Sequence, residues 1–210
     1  AISLDGKTSL ANGKSKWITS EASRADVQKW RLKSCAILTG KGTVNIDNPS
    51  LNIRNISSEQ QPLRIILDSH LRVKVESKIL QQSNVAVIYG ADQNSNLIEL
   101  EKTKANFIKM PLLDNKINLM GLMVYLNKLE INELWVEAGP DLNGELLKLG
   151  LLDELITYTA PCIMGGSANS MFNAPILEDM KDKIKLSVLD CRSIGKDIRI
   201  QALVCKNDVD

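Results

Sequence analysis

The only histidine is His70, and this excludes whole classes of chemistry. A zinc site built from several histidines cannot form. A Ser-His-Asp triad would have to run through His70, and no G-x-S-x-G elbow accompanies it. Hydride transfer needs no imidazole, because the cofactor carries the reactive atom and the protein supplies orientation. Two glycine loops follow apolar runs that read as strands. The first, Leu38-Thr39-Gly40-Lys41-Gly42-Thr43, has Asn45 where a Rossmann fingerprint needs a third glycine. The second, Gly139-Pro140-Asp141-Leu142-Asn143-Gly144, has Walker spacing but continues Glu145-Leu146 in place of Lys-Ser/Thr. Each loop could bring backbone N–H groups close to a phosphate. Each alone also reads as an ordinary strand-to-helix turn. Two of them at strand ends point towards a nucleotide crevice.

Other residues add to this in kind. Guanidinium groups clamp phosphates with two bonds, and Arg31 and Arg54 are candidates, although spacing alone favours a surface role for each. Glu137 ends the apolar run Leu134-Trp135-Val136. It reads equally as a carboxylate facing a crevice or as a helix-capping or salt-bridged residue. Asp68-Ser69-His70-Leu71-Arg72 could hold a 2′-phosphate or form a solvated loop. Asp47, before Asn48-Pro49, has the pattern of a turn opener. Trp17 stands apart from the other tryptophans, because its neighbours Lys14, Ser15, Lys16 and Thr19 are polar.

The elements that must hold these residues alternate. Ala1 to Leu4 reads as the end of a strand, Asp5-Gly6 as a hairpin turn, and Lys7 to Leu10 as a second strand. This opening suggests that the natural protein begins further upstream. Ser20 is a helix cap for a stretch reaching Lys33. Further strands are expected at Cys35–Leu38, 63–67, 85–89, 107–110 and 134–137, and late ones at 152–158, 184–189 and 198–204. Leu51 to Arg54 alternates like a short strand. Helices are expected at 119–129 and 142–149, and the polar stretch 91–106 reads as surface. This order predicts a single α/β domain over 1–210, with a mostly parallel sheet, antiparallel strands at the C-terminal end and flanking helices.

Composition agrees. Twenty-six Lys and Arg against 25 Asp and Glu give a net charge of +1, which argues against a nucleic-acid binder that relies on bulk charge. No run is long and apolar enough for a membrane span. The four cysteines form no C-x-x-C. They read as buried free thiols in a reducing compartment.

Ser3-Leu4-Asp5-Gly6-Lys7-Thr8 and Gly13-Lys14-Ser15-Lys16-Trp17-Ile18-Thr19 resemble the opening of one family. It is the reductase domain of bacterial riboflavin-biosynthesis deaminase/reductase proteins. The match continues through Arg31, Ala36-Ile37-Leu38, Thr43-Val44 and 47–54. It returns at 66–69, at Val136-Glu137-Ala138-Gly139-Pro140, and at Ala160-Pro161 and Gly165-Gly166. The resemblance implies a dihydrofolate-reductase-like fold and NADPH-dependent reduction of 5-amino-6-(5-phosphoribosylamino)uracil. It assigns Ser15, Arg31, Leu51, Arg54 and Glu137 to the substrate, with the arginines near its phosphate. It assigns Ala1, Trp17, Thr43, Asp47, Ser69 and the loop Gly139, Pro140, Asp141, Leu142, Asn143, Gly144 and Glu145 to the dinucleotide. Asp47 is also a candidate for handling protons. No metal is implied. The resemblance further implies a cytoplasmic homodimer without nucleic-acid or membrane partners. A deaminase would lie upstream or on a separate chain, since its zinc signature is absent here. The rivals are a reductase of the 2,5-diamino pyrimidinone phosphate and a non-catalytic nucleotide-binding module of the same fold.

Overall fold

The computed structural model describes residues 1–54, 61–92, 96–174 and 177–205. Strands β1 (Ile2–Ser3) and β2 (Lys7–Ser9) precede helix α1 (Glu21–Lys33). Next come β3 (Ala36–Gly40), α2 (Lys41–Asp47), β4 (Leu63–Leu67), β5 (Val85–Tyr89), α3 (Leu97–Leu100) and β6 (Asn106–Lys109). A small hairpin, β7 (Leu112–Leu113) and β8 (Lys116–Ile117), leads to α4 (Leu119–Lys128) and β9 (Leu134–Val136). The last elements are α5 (Pro140–Lys148), β10 (Glu154–Ala160), β11 (Asn169–Ser170), β12 (Leu186–Ile194) and β13 (Asp197–Val204). They group into two compact units, one of Ala1–Val27 with Pro140–Asp210 and one of Gln28–Gly139.

The Gln28–Gly139 unit holds the parallel sheet, in the order β6-β5-β4-β3-β9. Its strands are short apolar runs buried on both faces, Ala36-Ile37-Leu38, Ile65-Ile66 and Val85 to Tyr89, as a helix-covered parallel sheet requires. Helix α2 stops at Asn48, which takes the left-handed conformation at φ 44 and donates its N–H to the Val44 carbonyl. Asparagine tolerates that geometry, and Pro49 cannot continue a helix. From β3 the chain builds outward through β4, β5 and β6, then returns as β9 on the other side of β3. The carboxyl ends of β3 and β9 therefore flank a topological switch point, where open α/β sheets bind ligands. The polar stretch 91–106 is not all surface. Leu100 of α3 and Ala105 are buried, too few apolar residues to have shown a period.

The other unit carries a four-stranded sheet, β1-β10-β13-β12, antiparallel except that β1 runs parallel to β10. The expected hairpin of the first two strands does not form. Gly6 makes the turn at φ 74, but β1 pairs with β10 and β2 with β11. The Asp5 carboxylate draws the chain towards the 160s, accepting the N–H groups of Met164 and Gly165 at 3.1 and 2.8 Å. Ser20 caps α1 as expected, its Oγ accepting the Ser23 N–H at 3.4 Å. The buried Asp197 carboxylate reinforces that cap by accepting Ser20 N–H at 2.7 Å and the Ser20 and Ser23 hydroxyls at 2.6 Å. Helix α5 begins two residues before the expected Leu142. Pro140 suits a first helical position, where no N–H is needed. The cysteines are exposed, not buried. Cys35 precedes β3, Cys162 follows β10, Cys205 follows β13, and Cys191 lies on the largely exposed β12.

Candidate functional site

At the switch point the ladder between β3 and β9 extends one residue past β9, since Glu137 N–H donates to the Leu38 carbonyl at 2.9 Å. Strand alternation puts Trp135 and Glu137 on one face. Trp135 Nε1 donates to Glu137 Oε1 at 2.7 Å, and its ring stacks on Trp30 of α1, with centroids 5.8 Å apart. The next residue on α1 is Arg31. Its Nε and Nη2 donate to the two Glu137 carboxylate oxygens at 2.7 and 2.8 Å, a bidentate fork. Its Nη1 donates to the Asn52 carbonyl at 2.8 Å.

Exposure separates the two partners. The Arg31 side chain is 8% exposed and that of Glu137 is 24% exposed. Burial works against both charges, but pairing outweighs it. The bonds from Arg31 and Trp135 hold the Glu137 carboxyl below the usual range, and Glu137 raises Arg31. Glu137 is thus a carboxylate at neutral pH. It can accept an N–H or O–H from a polar ligand and has no proton to give.

The segment before the fork carries the other substrate candidates. It is not the short strand its alternation predicts. Its backbone is held by side chains: Ile53 N–H donates to Gln61 Oε1 at 2.7 Å, and Arg54 N–H donates to Gln28 Oε1 at 2.9 Å. Leu51 is left-handed at φ 51 and buries its side chain in the core, so only its backbone can meet a ligand. Such a conformation in a non-glycine residue costs about 1–3 kcal/mol and clusters at functional sites. Arg54 is exposed. Of the two expected phosphate arginines, Arg31 is engaged by a carboxylate and a carbonyl, while Arg54 presents its side chain to solvent.

Four dinucleotide candidates lie in the same unit. Thr43 is in the first turn of α2, and its Oγ1 is 3.9 Å from where a Gly139 Cβ would stand. Among the described residues, apart from adjacent chain, no other atom lies within 4 Å of that point and none within 4 Å of a Cβ on Gly42. The backbone at the ends of β3 and β9 is therefore open to close approach by a phosphate. Asp47 is the last residue of α2. Ser69 follows β4, and its Oγ accepts the Ile117 N–H at 3.2 Å. Elsewhere in the same unit, a cavity of about 350 Å³ is lined by Arg72, Lys74, Asn96, Glu99 and apolar neighbours.

The remaining candidates lie in the other unit. Ala1 is exposed and Ser15 half-buried. Trp17 is 70% exposed, and the Arg24 guanidinium lies 4.4 Å from its ring centroid. Pro140, Asp141, Leu142, Asn143, Gly144 and Glu145 form the first two turns of α5. Asn143 Nδ2 donates to the Met171 carbonyl at 3.1 Å. A Cβ on Gly144 would stand 2.2 Å from the Asn173 carbonyl oxygen, so close packing accounts for this glycine. The sequence reading missed Gln28 and Arg24. The spacing of Gln28, three residues before Arg31 on one helix face, was the available signal.

The sequence profile of the family described as the RibD C-terminal domain matches residues 1–200. The chain belongs to this family. It is 38% identical over 208 residues to the riboflavin biosynthesis protein RibD of Escherichia coli K12, covering 93% of this chain and 56% of that protein. It is 35% identical over 205 residues to the 5-amino-6-(5-phosphoribosylamino)uracil reductase of Buchnera aphidicola from Acyrthosiphon pisum, covering 91% of this chain and 97% of that one. Among solved structures, Acinetobacter baumannii RibD matches with a TM-score of 0.84 and 37% identity over 97% of this chain and 56% of that one. The chain thus spans about half the length of the RibD relatives and nearly all of the Buchnera reductase. These likenesses carry the expected dihydrofolate-reductase-like α/β fold.

Proposed function

We propose that this chain reduces 5-amino-6-(5-phosphoribosylamino)uracil to its ribitylamino product, in riboflavin biosynthesis, with NADPH. The observation that carries this reading is the 35% identity to the Buchnera reductase over 97% of that protein. The same likeness does not favour a reductase acting before deamination or a non-catalytic nucleotide module. The site agrees in chemistry. Glu137 is a fixed acceptor for the N–H and O–H groups of the pyrimidine or ribose, Arg31 holds it in place, and Arg54 meets the phosphate. Ser15 and the Leu51 backbone complete the substrate's surroundings.

The open backbone at Gly42 and Gly139, with Thr43 between them and Ser69 at the next strand end, fits a phosphate-bearing dinucleotide. Ala1, Trp17, Asp47 and the first turns of α5 are the other residues proposed to hold it. NADPH, when bound, supplies the hydride that reaches C1′ of the opened ribose. The accompanying proton comes from solvent, with Asp47 handling its passage. Much of the rate comes from holding the reacting groups together. The proposed working form is a cytoplasmic homodimer, with or without a deaminase domain. Among the described residues no helix is long and apolar enough to cross a membrane.

The test is to mix the purified chain with NADPH and this substrate and to follow loss of the reduced nicotinamide. Wild type oxidises NADPH, and Arg54→Ala raises KM about tenfold to a hundredfold, as expected for a bond to a charged group. Turnover of the 2,5-diamino compound alone would overturn the reading.

A further inference from the structure

Side chains hold the backbone of residues 52–54, although no strand ladder includes it. Arg31 donates to the Asn52 carbonyl, Gln61 accepts from Ile53 N–H, and Gln28 accepts from Arg54 N–H. Gln28 and Arg31 stand three residues apart on α1, so both project from one face of a rigid helix. Gln28 is itself buried. Its acceptor meets the backbone of Arg54, the residue whose guanidinium reaches solvent.

We propose that Gln28 is a positioning residue that sets the direction of Arg54 as the anchor for the substrate's phosphate. This rests on the substrate reading above. The Arg54 side chain starts from a Cα whose own N–H is pinned to α1. Without that bond the chain at Arg54 can rotate, and the guanidinium no longer meets the phosphate at the distance set by Arg31 and Glu137. Gln28 lies away from the proposed dinucleotide contacts, so its effect should fall on phosphate recognition and not on NADPH.

Ribose 5-phosphate serves as the probe, titrated calorimetrically into the purified chain, with NADPH titrated in parallel. Gln28→Leu keeps the size and removes the acceptor. Gln28→Asn withdraws it by one methylene and serves if the first variant fails to fold. Either folded variant binds ribose 5-phosphate about fivefold more weakly, the loss expected for one hydrogen bond, and NADPH as wild type does. An equal weakening of both ligands would show a merely structural role and overturn the proposal, as would no weakening of either. If wild type binds no ribose 5-phosphate, the proposal falls with the phosphate anchor. If the Gln28-dependent binding appears in a chain that reduces nothing, the proposal is supported and only the functional reading is overturned.

Discussion

Arg31 and Arg199 are both buried arginines facing carboxylates, one in each unit. Arg199 donates to Asp26 at 2.8 Å and to Asp190 at 2.7 Å, and Tyr158 OH donates to the same Asp26 oxygen at 2.8 Å. The side chains of Arg199 and Asp26 are 11% and 6% exposed. Both arginines are therefore buried and each has one partly exposed carboxylate, Glu137 at 24% and Asp190 at 23%, while Asp26 is closed off. Asp26, Tyr158 and Arg199 come from α1, β10 and β13, and their bonds fasten the helix to the sheet. Glu137 stands at the carboxyl end of β9, beside a switch point, with one side open. The comparison teaches that a buried ion pair does not mark a site by itself. A half-open carboxylate does not mark one either, since Asp190 lies within β12; the place of Glu137 at the carboxyl end of a strand does.

The largest effect that would break this contrast is on stability. Arg199→Met removes the guanidinium bonded to buried Asp26 and should cost about 3–5 kcal/mol, read by urea denaturation. Turnover per folded molecule should stay near wild type, and a selective loss of turnover would erase the distinction. Glu137→Gln should do the reverse, with kcat/KM falling about a hundredfold as substrate is misplaced and a smaller fall in stability than in Arg199→Met. Gly144→Ala tests packing. The added methyl meets the Asn173 backbone, and overpacking should cost about 1–3 kcal/mol, with substrate KM unchanged.

The smallest effect is acid dependence. Hydrogen bonds from Arg192 and Arg199 hold Asp190 at about 2, and the Ser3 hydroxyl with the Met164 and Gly165 N–H groups holds Asp5 at about 2. Each is more acidic folded than unfolded. Its stabilisation is complete above the ordinary carboxylate range and is lost as pH falls through about 2. Urea midpoints should therefore drop gently below about pH 4. In Asp190→Asn the drop should be shallower.

Much of the fold was legible because it rests on local signals. Ile37-Leu38, Ile65-Ile66 and Val85 to Ile88 read as buried strands from their apolar runs alone, and Ser20 reads as a helix cap. The candidate site was legible residue by residue, as Arg31, Arg54 and Glu137, but not as a pair. Arg31 and Glu137 lie 106 positions apart, and no period links them. Arg199 was missed for a related reason. In Asp197 to Val204 the alternating polar residues look like a solvent face, but Asp197 and Arg199 are buried. The cysteines failed as an inference because they flank the strands or lie on an exposed one, where an apolar neighbourhood in sequence does not mean burial in space.

The most direct test of the account uses NADPH deuterated at both C4 hydrogens of its nicotinamide, with 5-amino-6-(5-phosphoribosylamino)uracil and the purified chain. The product is then analysed by mass spectrometry and NMR. The account predicts a ribitylamino product heavier by a single deuterium, located at C1′. An unlabelled product, a label elsewhere, or unconsumed substrate in the presence of bound NADPH would contradict it.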